Sequence, residues 1–335
     1  MPNNTFDTKI ICSSSNDPWY NLSLEEHLFS NVNKNQFILY LWQNDNTIVL
    51  GRNQNPWKEC KCKSFEKDNG KIARRLSGGG AVFHDLGNLN FTFIMDKNLH
   101  NLNTQLKVVL NAVRYLGIET EFSGRNDILA NNKKFSGNAF YEDDFSYYHH
   151  GTILINSNID KLTKYLKVSK EKISSKGINS VSSRVINLKT LNPDISVHSM
   201  KISLIKSFIE IYGGGGNPSV EYVNEKILPL EKLYKKYSSW EWIYGETPRF
   251  DINFVNRFTW GEIDLNLKLN NGLIDSAVIY SDAIDSKLIK NIASNLSALP
   301  FKIIEIEKNL NSIKDEKNIE IIDDIINFLK TKLSF

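Results

Sequence analysis

The sequence predicts an α+β protein in two domains, on three observations. Strand-like apolar runs are interleaved with segments of helical periodicity, and 335 residues are too many for one average domain. A linker-like stretch, Glu246-Thr247-Pro248-Arg249-Phe250, precedes a self-contained pattern of two strands and two helices. The first domain is therefore expected over residues 1–245, the linker over 246–250 and a small α+β domain over 251–335.

Taken in order, a helix is expected after Asp17-Pro18, carrying Leu22, Leu24, Glu25, Leu28 and Phe29. Strands follow at 37–42 and 47–50, separated by the turn formers Asn44-Asp45-Asn46. The stretch from Ile72 to His84 reads as strand–loop–strand around Gly78-Gly79-Gly80. Leu89–Ile94 alternates with period two and reads as a half-buried strand. Leu106, Val109, Leu110, Val113 and Leu116 recur at helical spacing. Asp127–Ala130 turns through Asn131-Asn132 into Lys133–Ser136 as a hairpin. Gly151–Ile155 is a strand candidate, helices are expected near 159–166 and 200–212, and Gly213–Gly216 is a plain loop. In the second domain, strands at 263–269 and 273–280 flank an Asn270-Asn271-Gly272 turn, with helices at 286–296 and 319–333.

Composition narrows the function classes. With 41 basic against 38 acidic residues, net +3 and no polybasic run, nucleic acid is not the expected partner. Asp7, Lys9, Asp17, Glu25 and Glu26 leave no apolar stretch for a signal peptide. Nothing approaches the roughly 18 continuous apolar residues of a membrane span. A soluble, cytoplasmic protein is expected. Cys12, Cys60 and Cys62 are an odd number without disulfide spacing, and a lone Cys-x-Cys lacks the second ligand pair of a zinc site, so reduced thiols are expected.

Chemistry concentrates in three places. Arg74-Arg75-Leu76-Ser77-Gly78-Gly79-Gly80 combines glycine backbone, which lets N–H groups approach a ligand closely, with guanidiniums that fork onto phosphate or carboxylate. It is neither a Walker loop, since Ala81-Val82 follows the glycines, nor a dinucleotide fingerprint, since position 83 is Phe. Gly124-Arg125-Asn126-Asp127 with Lys133-Lys134-Phe135-Ser136-Gly137 offers a lysine beside small residues, able to lie against two anions, with Asp127 as a Mg²⁺ candidate. His149-His150 sit adjacent on a strand and point to opposite faces, so they make poor joint metal ligands.

These motifs together resemble the lipoate–protein ligase A family. The resemblance runs in order through Asp17-Pro18-Trp19-Tyr20-Asn21, Asn55-Pro56-Trp57-Lys58-Glu59 and Arg74 to Asn90, then Ser123–Asp127, Lys134–Gly137 and His149–Thr152. It continues through Ser175–Ile178, Ser183-Arg184-Val185, Ser238–Trp242 and Arg257–Gly261, so it spans nearly the whole chain. It implies a biotin-ligase (class II synthetase-like) catalytic domain, a mixed, largely antiparallel sheet flanked by helices, with a small carboxy-terminal domain. It implies a two-step reaction in which lipoate and ATP give lipoyl-adenylate and pyrophosphate, and a protein lysine then takes the lipoyl group. Implied acceptors are lipoyl domains of 2-oxoacid dehydrogenase acyltransferases and the glycine cleavage H protein, and the enzyme is expected to be a monomer.

By family position, Arg75 and the backbone of Gly80, Ala81, Val82 and Phe83 are expected to hold ATP, and Asn126 could read adenine or ribose edges. Lys134 is expected to bridge the lipoate carboxylate and the α-phosphate as a charge clamp, with Mg²⁺ at Asp127. Gly78, Gly79 and His84 are expected to border the acyl pocket. An acyl transferase of the same fold that works through a cysteine thioester, without ATP, would need a thiol near that pocket. The cysteines here all precede the glycine loop. A transferase that uses preformed lipoyl-adenylate is the remaining rival within the fold; a biotin ligase, or a repressor of that type, fits the motifs less well.

Overall fold

Residues Asn88–Asp96 are buried along their whole length, on both faces. The alternation that reads as half-buried in the sequence therefore has another cause: Asn88, Asn90 and Thr92 face other buried polar groups rather than water. In the computed structural model, which describes residues 7–123, 127–167, 185–213, 218–244, 252–270 and 272–333, this strand lies inside an eight-stranded sheet. The chain divides into two compact units, one formed by Met1–Leu50, Trp57–Arg75 and Ala81–Ile243 and the other by Gly51–Pro56, Leu76–Gly80 and Tyr244–Phe335.

The first unit runs β1 (Asp7–Ser13), α1 (Pro18–Ser30), β2 (Gln36–Trp42), β3 (Thr47–Leu50), α2 (Pro56–Glu59), α3 (Cys62–Lys67), β4 (Lys71–Arg74), β5 (Val82–His84) and β6 (Asn88–Asp96). It continues through α4 (Leu102–Arg114), β7 (Glu121–Ser123), β8 (Asp127–Ala130), β9 (Lys133–Glu142), β10 (Ser146–Leu154) and α5 (Ile159–Tyr165). It ends with α6 (Leu188–Leu191), α7 (Val197–Tyr212), β11 (Val220–Val223), α8 (Glu231–Ser238) and α9 (Trp240–Ile243). The large sheet has the order β11-β1-β2-β6-β10-β9-β8-β7. The β11–β1 and β1–β2 pairs are parallel and the rest antiparallel. A smaller sheet, β4-β3-β5, holds the strands on either side of the glycine loop.

Strand alternation assigns the two faces of the large sheet. Phe37, Leu39 and Leu41 of β2 and Phe91, Phe93 and Met95 of β6 share one core cluster with Val109 and Val113 of α4 and Leu204 and Phe208 of α7. The opposite face takes α1, through Glu25 to Thr92 and through Asn21 to Tyr40. Helix α1 begins where Asp17 accepts the N–H of Trp19 at 2.9 Å, with Pro18 at the first helical position, where its missing N–H costs nothing. Asp17 also pairs with Lys71 of β4 at 2.6 Å, tying the helix start to the small sheet.

The second unit is a meander, β12 (Ile252–Phe258), β13 (Gly261–Asn270) and β14 (Leu273–Ser281), with α10 (Ser286–Leu296), α11 (Ile303–Ser312) and α12 (Ile319–Leu333). Its core includes Leu265, Leu267, Ile274, Ile292, Leu310, Ile322 and Ile326. Two sequence-distant loops group with it: Ser281 N–H donates to Asn53 O at 2.7 Å, and Gly79 N–H to Ala283 O at 3.1 Å. A side chain at Gly78 would meet the carbonyls of Ala283 and Ile284 at 2.3 Å, so this loop packing needs glycine there. The expected linker, 246–250, and most of the Gly213–Gly216 loop lie outside the described residues.

Candidate functional site

The β8–β9 hairpin turns on Asn131 and Asn132, both in the left-handed region (φ 50 and 58°), which asparagine tolerates and a two-residue hairpin turn demands. Its register then slips. Asp127 faces Gly137 and Ile128 faces Ser136, but Leu129 faces Lys134, so Phe135 is an extra residue, a β-bulge. Without the slip, Lys134 would share its face with Ser136 and Asn138, and Asn138 points to the helix side, where it meets His149 at 2.8 Å. With it, Lys134 joins Asp127 and Gly137 on the face that α1 covers elsewhere. Its Nζ pairs with Asp127 Oδ1 at 2.7 Å, and a Cβ at Gly137 would lie 2.9 Å from Lys134 Cε and Nζ. The lysine therefore lies across the glycine, half-exposed.

From that lysine a row of side chains crosses the sheet. Gly137 N–H donates to Thr152 Oγ1 at 3.3 Å, Thr152 is registered with Asn90, and Asn90 with Trp42. At about 4.8 Å per strand, β9 and β6 stand about 10 Å apart. The far end of the row is polar and buried. Asn88 Nδ2 donates to Asn90 Oδ1 at 2.9 Å, while Asn88 Oδ1 and Asn90 Nδ2 have no protein partner among the described residues.

His84, edge-on to Trp42 at 6.0 Å, adds a third such atom. Its Nδ1 accepts from Asn44 at 3.2 Å, which leaves the proton on Nε2, a buried donor without a partner. Burial, and then the charges of Arg75 and His150, lower its pKa to about 3, so the ring is neutral. Buried polar atoms left unsatisfied cost about 1–3 kcal/mol each, and three in one neighbourhood mark a place built for a polar ligand or water.

Beside them lies a network of buried polar and ionisable side chains. Glu25 Oε1 accepts from Thr92 Oγ1 at 2.7 Å and meets His150 Nδ1 at 2.8 Å, and Trp42 Nε1 donates to Thr92 Oγ1 at 3.0 Å. All four side chains are buried. The two histidines point to opposite faces, as the alternation requires. His149, on the helix side, lies within 3.0 Å of both Gln105 and Asn138 side chains, and burial holds its pKa well below the usual value. A neutral ring donates only once, so one of those amides presents its NH₂.

The adjacent arginines do not act together. The Arg74 Nη2 donates to Ile243 O at 2.6 Å and its Nε to Trp242 O at 3.0 Å, which ties it to the end of α9. This corrects the reading of the pair as one anion fork: successive residues leaving a strand diverge. Arg75 turns inward, donates to Val49 O at 3.2 Å and is buried. Burial lowers its pKa to about 10, against the pull of Tyr148 and Glu25, so it keeps its charge at neutral pH.

Val82, Phe83 and His84 form β5 against β3, and the Phe83 ring packs on Phe65 at 6.2 Å. Gly80 faces open space, and Gly78, Gly79 and Gly80 group with the second unit. Asn126 lies outside the described residues. The structure thus brings Lys134 together with Asp127, and Arg75 together with His84. Sequence reasoning missed Glu25, Trp42, Asn88, Asn90 and Thr92. The signal for three of them was present, as polar residues at every second position of a strand too apolar to be exposed.

Comparison with known proteins agrees over most of the chain. Residues 17–209 match the Lipoyl protein ligase A/B catalytic domain family, and residues 247–329 match the Bacterial lipoate protein ligase C-terminus family. Lipoate-protein ligase A of Blochmanniella floridana is 39% identical over 306 residues, covering 89% of this chain and 90% of that protein. That of Psychrobacter cryohalolentis is 39% identical over 312 residues, covering 91% and 92%. Among solved structures, P. falciparum LipL1 in complex with lipoate superposes with a TM-score of 0.85 at 33% identity, covering 96% of this chain and 99% of that one. Lipoate-protein ligase A bound with ATP superposes at 0.61 with 25% identity, covering 72% and 99%. The α+β fold, the mixed sheet with its buried polar row and the matched sequence families lead to one assignment: the chain belongs to the lipoate–protein ligase A family.

Proposed function

We propose that this chain is an ATP-dependent lipoate–protein ligase working in two half-reactions. In the first, a lipoate carboxylate oxygen attacks the α-phosphorus of ATP, the bond to the bridging oxygen breaks, and pyrophosphate leaves. In the second, the ε-amine of an acceptor lysine attacks the acyl carbon of lipoyl-adenylate, and AMP leaves.

The observation that carries this reading is the bulge-set Lys134. Both reactants of the first step are anions, so the task is to bring them together and neutralise charge rather than to move protons. A half-exposed ammonium lying across a glycine, held ready by one carboxylate, suits a clamp that exchanges Asp127 for a lipoate oxygen and an α-phosphate oxygen. Arg75 and the backbone from Gly80 to Phe83 hold the nucleotide, with Asn126. Gly78, Gly79 and His84 border the acyl chain, and the neutral His84 Nε2–H offers a donor without placing a charge beside an apolar tail.

Mg²⁺ fits this donor set in one way. The described residues contain no cluster of three candidate ligands. Mg²⁺ is commonly held by one or two carboxylates plus substrate phosphates, and Asp127 supplies one. Bound there, the ion would neutralise phosphate charge while Lys134, released from Asp127, serves the carboxylate.

A thioester transferase is disfavoured by the position of the thiols: Cys12 is in the core on the helix side of the sheet, and Cys60 and Cys62 flank the start of α3. Acceptors are lipoyl domains of 2-oxoacid dehydrogenase acyltransferases and the glycine cleavage H protein. A Thermoplasma acidophilum lipoylation system solved as a bipartite ligase and its E2 lipoyl domain supports the first of these; that chain superposes with a TM-score of 0.62 at 26% identity, over 74% of this chain and 100% of its own. The enzyme works as a cytoplasmic monomer. Lys134→Ala should abolish lipoate-dependent exchange of pyrophosphate into ATP with an unchanged circular dichroism spectrum; normal exchange by that variant would overturn the assignment.

A further inference from the structure

We propose that Cys60 and Cys62 are a built dithiol site, which a small-molecule disulfide converts to an intramolecular Cys60–Cys62 disulfide, and that this oxidation weakens nucleotide binding. The two sulfurs stand 3.3 Å apart, and the backbone explains why. Lys61, between them, has φ −86° and ψ 66°, an inverse γ-turn that folds residues i and i+2 toward one another, where an extended strand would hold them apart. Closing the sulfurs to a bond of about 2.0 Å moves them together by about 1.3 Å.

The turn is fixed from outside. Cys60 bridges Leu166, Lys61 N–H donates to Tyr165 O at 2.9 Å, and Lys167 N–H donates to Glu59 O at 2.7 Å. Both thiols are buried, but the helices next to them in sequence, α2 and α3, are four and six residues long, and such short elements open locally at small cost.

The chemistry balances as two exchanges. Either thiol can donate to the other; with Cys60 as donor the bond favours the thiolate of Cys62 and disfavours that of Cys60, and Cys62 then acts as the first nucleophile. Its thiolate attacks the reagent disulfide, forms a mixed disulfide and releases one reagent thiol. With the Cys62 charge gone, Cys60 loses its proton more easily and attacks the Cys62 sulfur, releasing the second reagent thiol. The protein sulfurs lose two electrons and two protons, and the reagent gains both.

The link to the site is Phe65 of α3. Its ring packs on Phe83 at 6.2 Å and on Tyr165 at 4.8 Å, and it fills the space above Gly70, where a Cβ would meet it at 2.5 Å. Tightening the turn at the start of α3 shifts Phe65, and with it the β5 backbone assigned to the nucleotide. This second half of the proposal rests on the ligase reading above; the first half does not.

The test equilibrates the full-length protein with glutathione, from fully reduced to fully oxidised, then alkylates, denatures and digests after glutamate. Glu59 and Glu66 flank residues 60–66, which emerge as one peptide. That peptide should lose two hydrogens in oxidised buffer and regain them with dithiothreitol, while Cys12, alone in the core, stays a thiol. Cys60→Ser should stop at a mixed disulfide on Cys62. Two alkylatable thiols in the 60–66 peptide at every ratio would overturn the site. Pyrophosphate exchange on samples taken before alkylation should show a several-fold higher KM for ATP after oxidation, lost when Cys60 and Cys62 are both replaced by serine; an unchanged KM would overturn the coupling to Phe83. Exchange absent from the reduced protein as well would instead refute the ligase reading, leaving the mass result to stand by itself.

Discussion

Lowering the pH should destabilise the first unit by an amount that His84 and His149 set between them. Both rings are buried and held neutral, His84 with a pKa of about 3 and His149 well below its usual value. In the unfolded chain each titrates near 6.5. The folded pKa values are depressed, so above about pH 6.5 neither form binds the proton and the stability is fully present. As pH falls below that value the unfolded state takes up a proton that the folded state refuses, and stability is lost down to the folded pKa.

From pH 7.5 to pH 5.0 the cost for His84 is about 1.4 kcal/mol for each pH unit below 6.5, hence about 2 kcal/mol, and His149 adds to the loss in the same direction. The assay is denaturant unfolding of ligand-free protein at the two pH values, read by tryptophan fluorescence. His84→Asn supplies the control: whatever it does to absolute stability, its loss between the two pH values should be smaller than the wild type's by about 2 kcal/mol. An identical loss in the variant would show that His84 is not the group held neutral, and the picture of a charge-free donor in the pocket would fail with it.

Three further outcomes follow from the same geometry. Gly137→Ala places its methyl 2.9 Å from the end of the flexible Lys134 side chain and needs no unusual backbone, so stability should change by less than about 1 kcal/mol while adenylation falls sharply; unchanged pyrophosphate exchange would refute the clamp's position. Glu25→Ala strips the buried carboxylate from Thr92 and His150 and should cost about 3–5 kcal/mol in denaturant unfolding, with Glu25→Gln recovering more than half; a loss under about 1 kcal/mol for the alanine would refute the network's role. Gly151→Ala drives a methyl to 2.5 Å from the Phe91 ring and 2.8 Å from Asn138 Oδ1 in a packed core, so a melting temperature within a degree or two of wild type would contradict the packing described.

Local signals in the sequence located elements well. Asp17-Pro18 marks the start of α1 because a capping carboxylate and a fixed φ are local properties, and Asn131-Asn132 marks its hairpin for the same reason. Helix α10 was expected at 286–296 and forms there, and the structure adds Asp285 as its cap, accepting the N–H of Leu288. What depends on pairing was hidden. The buried polar row of β6 looks like a half-exposed strand until the opposite face is known to be covered. The bulge at Phe135 reverses the face of Lys134 without any Gly or Pro to announce it, and Arg74 and Arg75 look equivalent until the strand sends them opposite ways. Glu25 reads as one more polar residue of an amphipathic helix; only the fold brings it to His150, 125 positions away. The family resemblance supplied the chemistry that no single motif could, because the proposed site draws on residues of β4, β5, β6, β8, β9 and β10 together.

The most direct test of the central claim is lipoate-dependent exchange of labelled pyrophosphate into ATP, with purified protein, Mg²⁺ and no acceptor. Exchange should require lipoate and disappear in Lys134→Ala. No exchange by the wild-type protein, together with transfer from supplied lipoyl-adenylate to a lipoyl domain, would contradict it and move the ATP-dependent step to another protein.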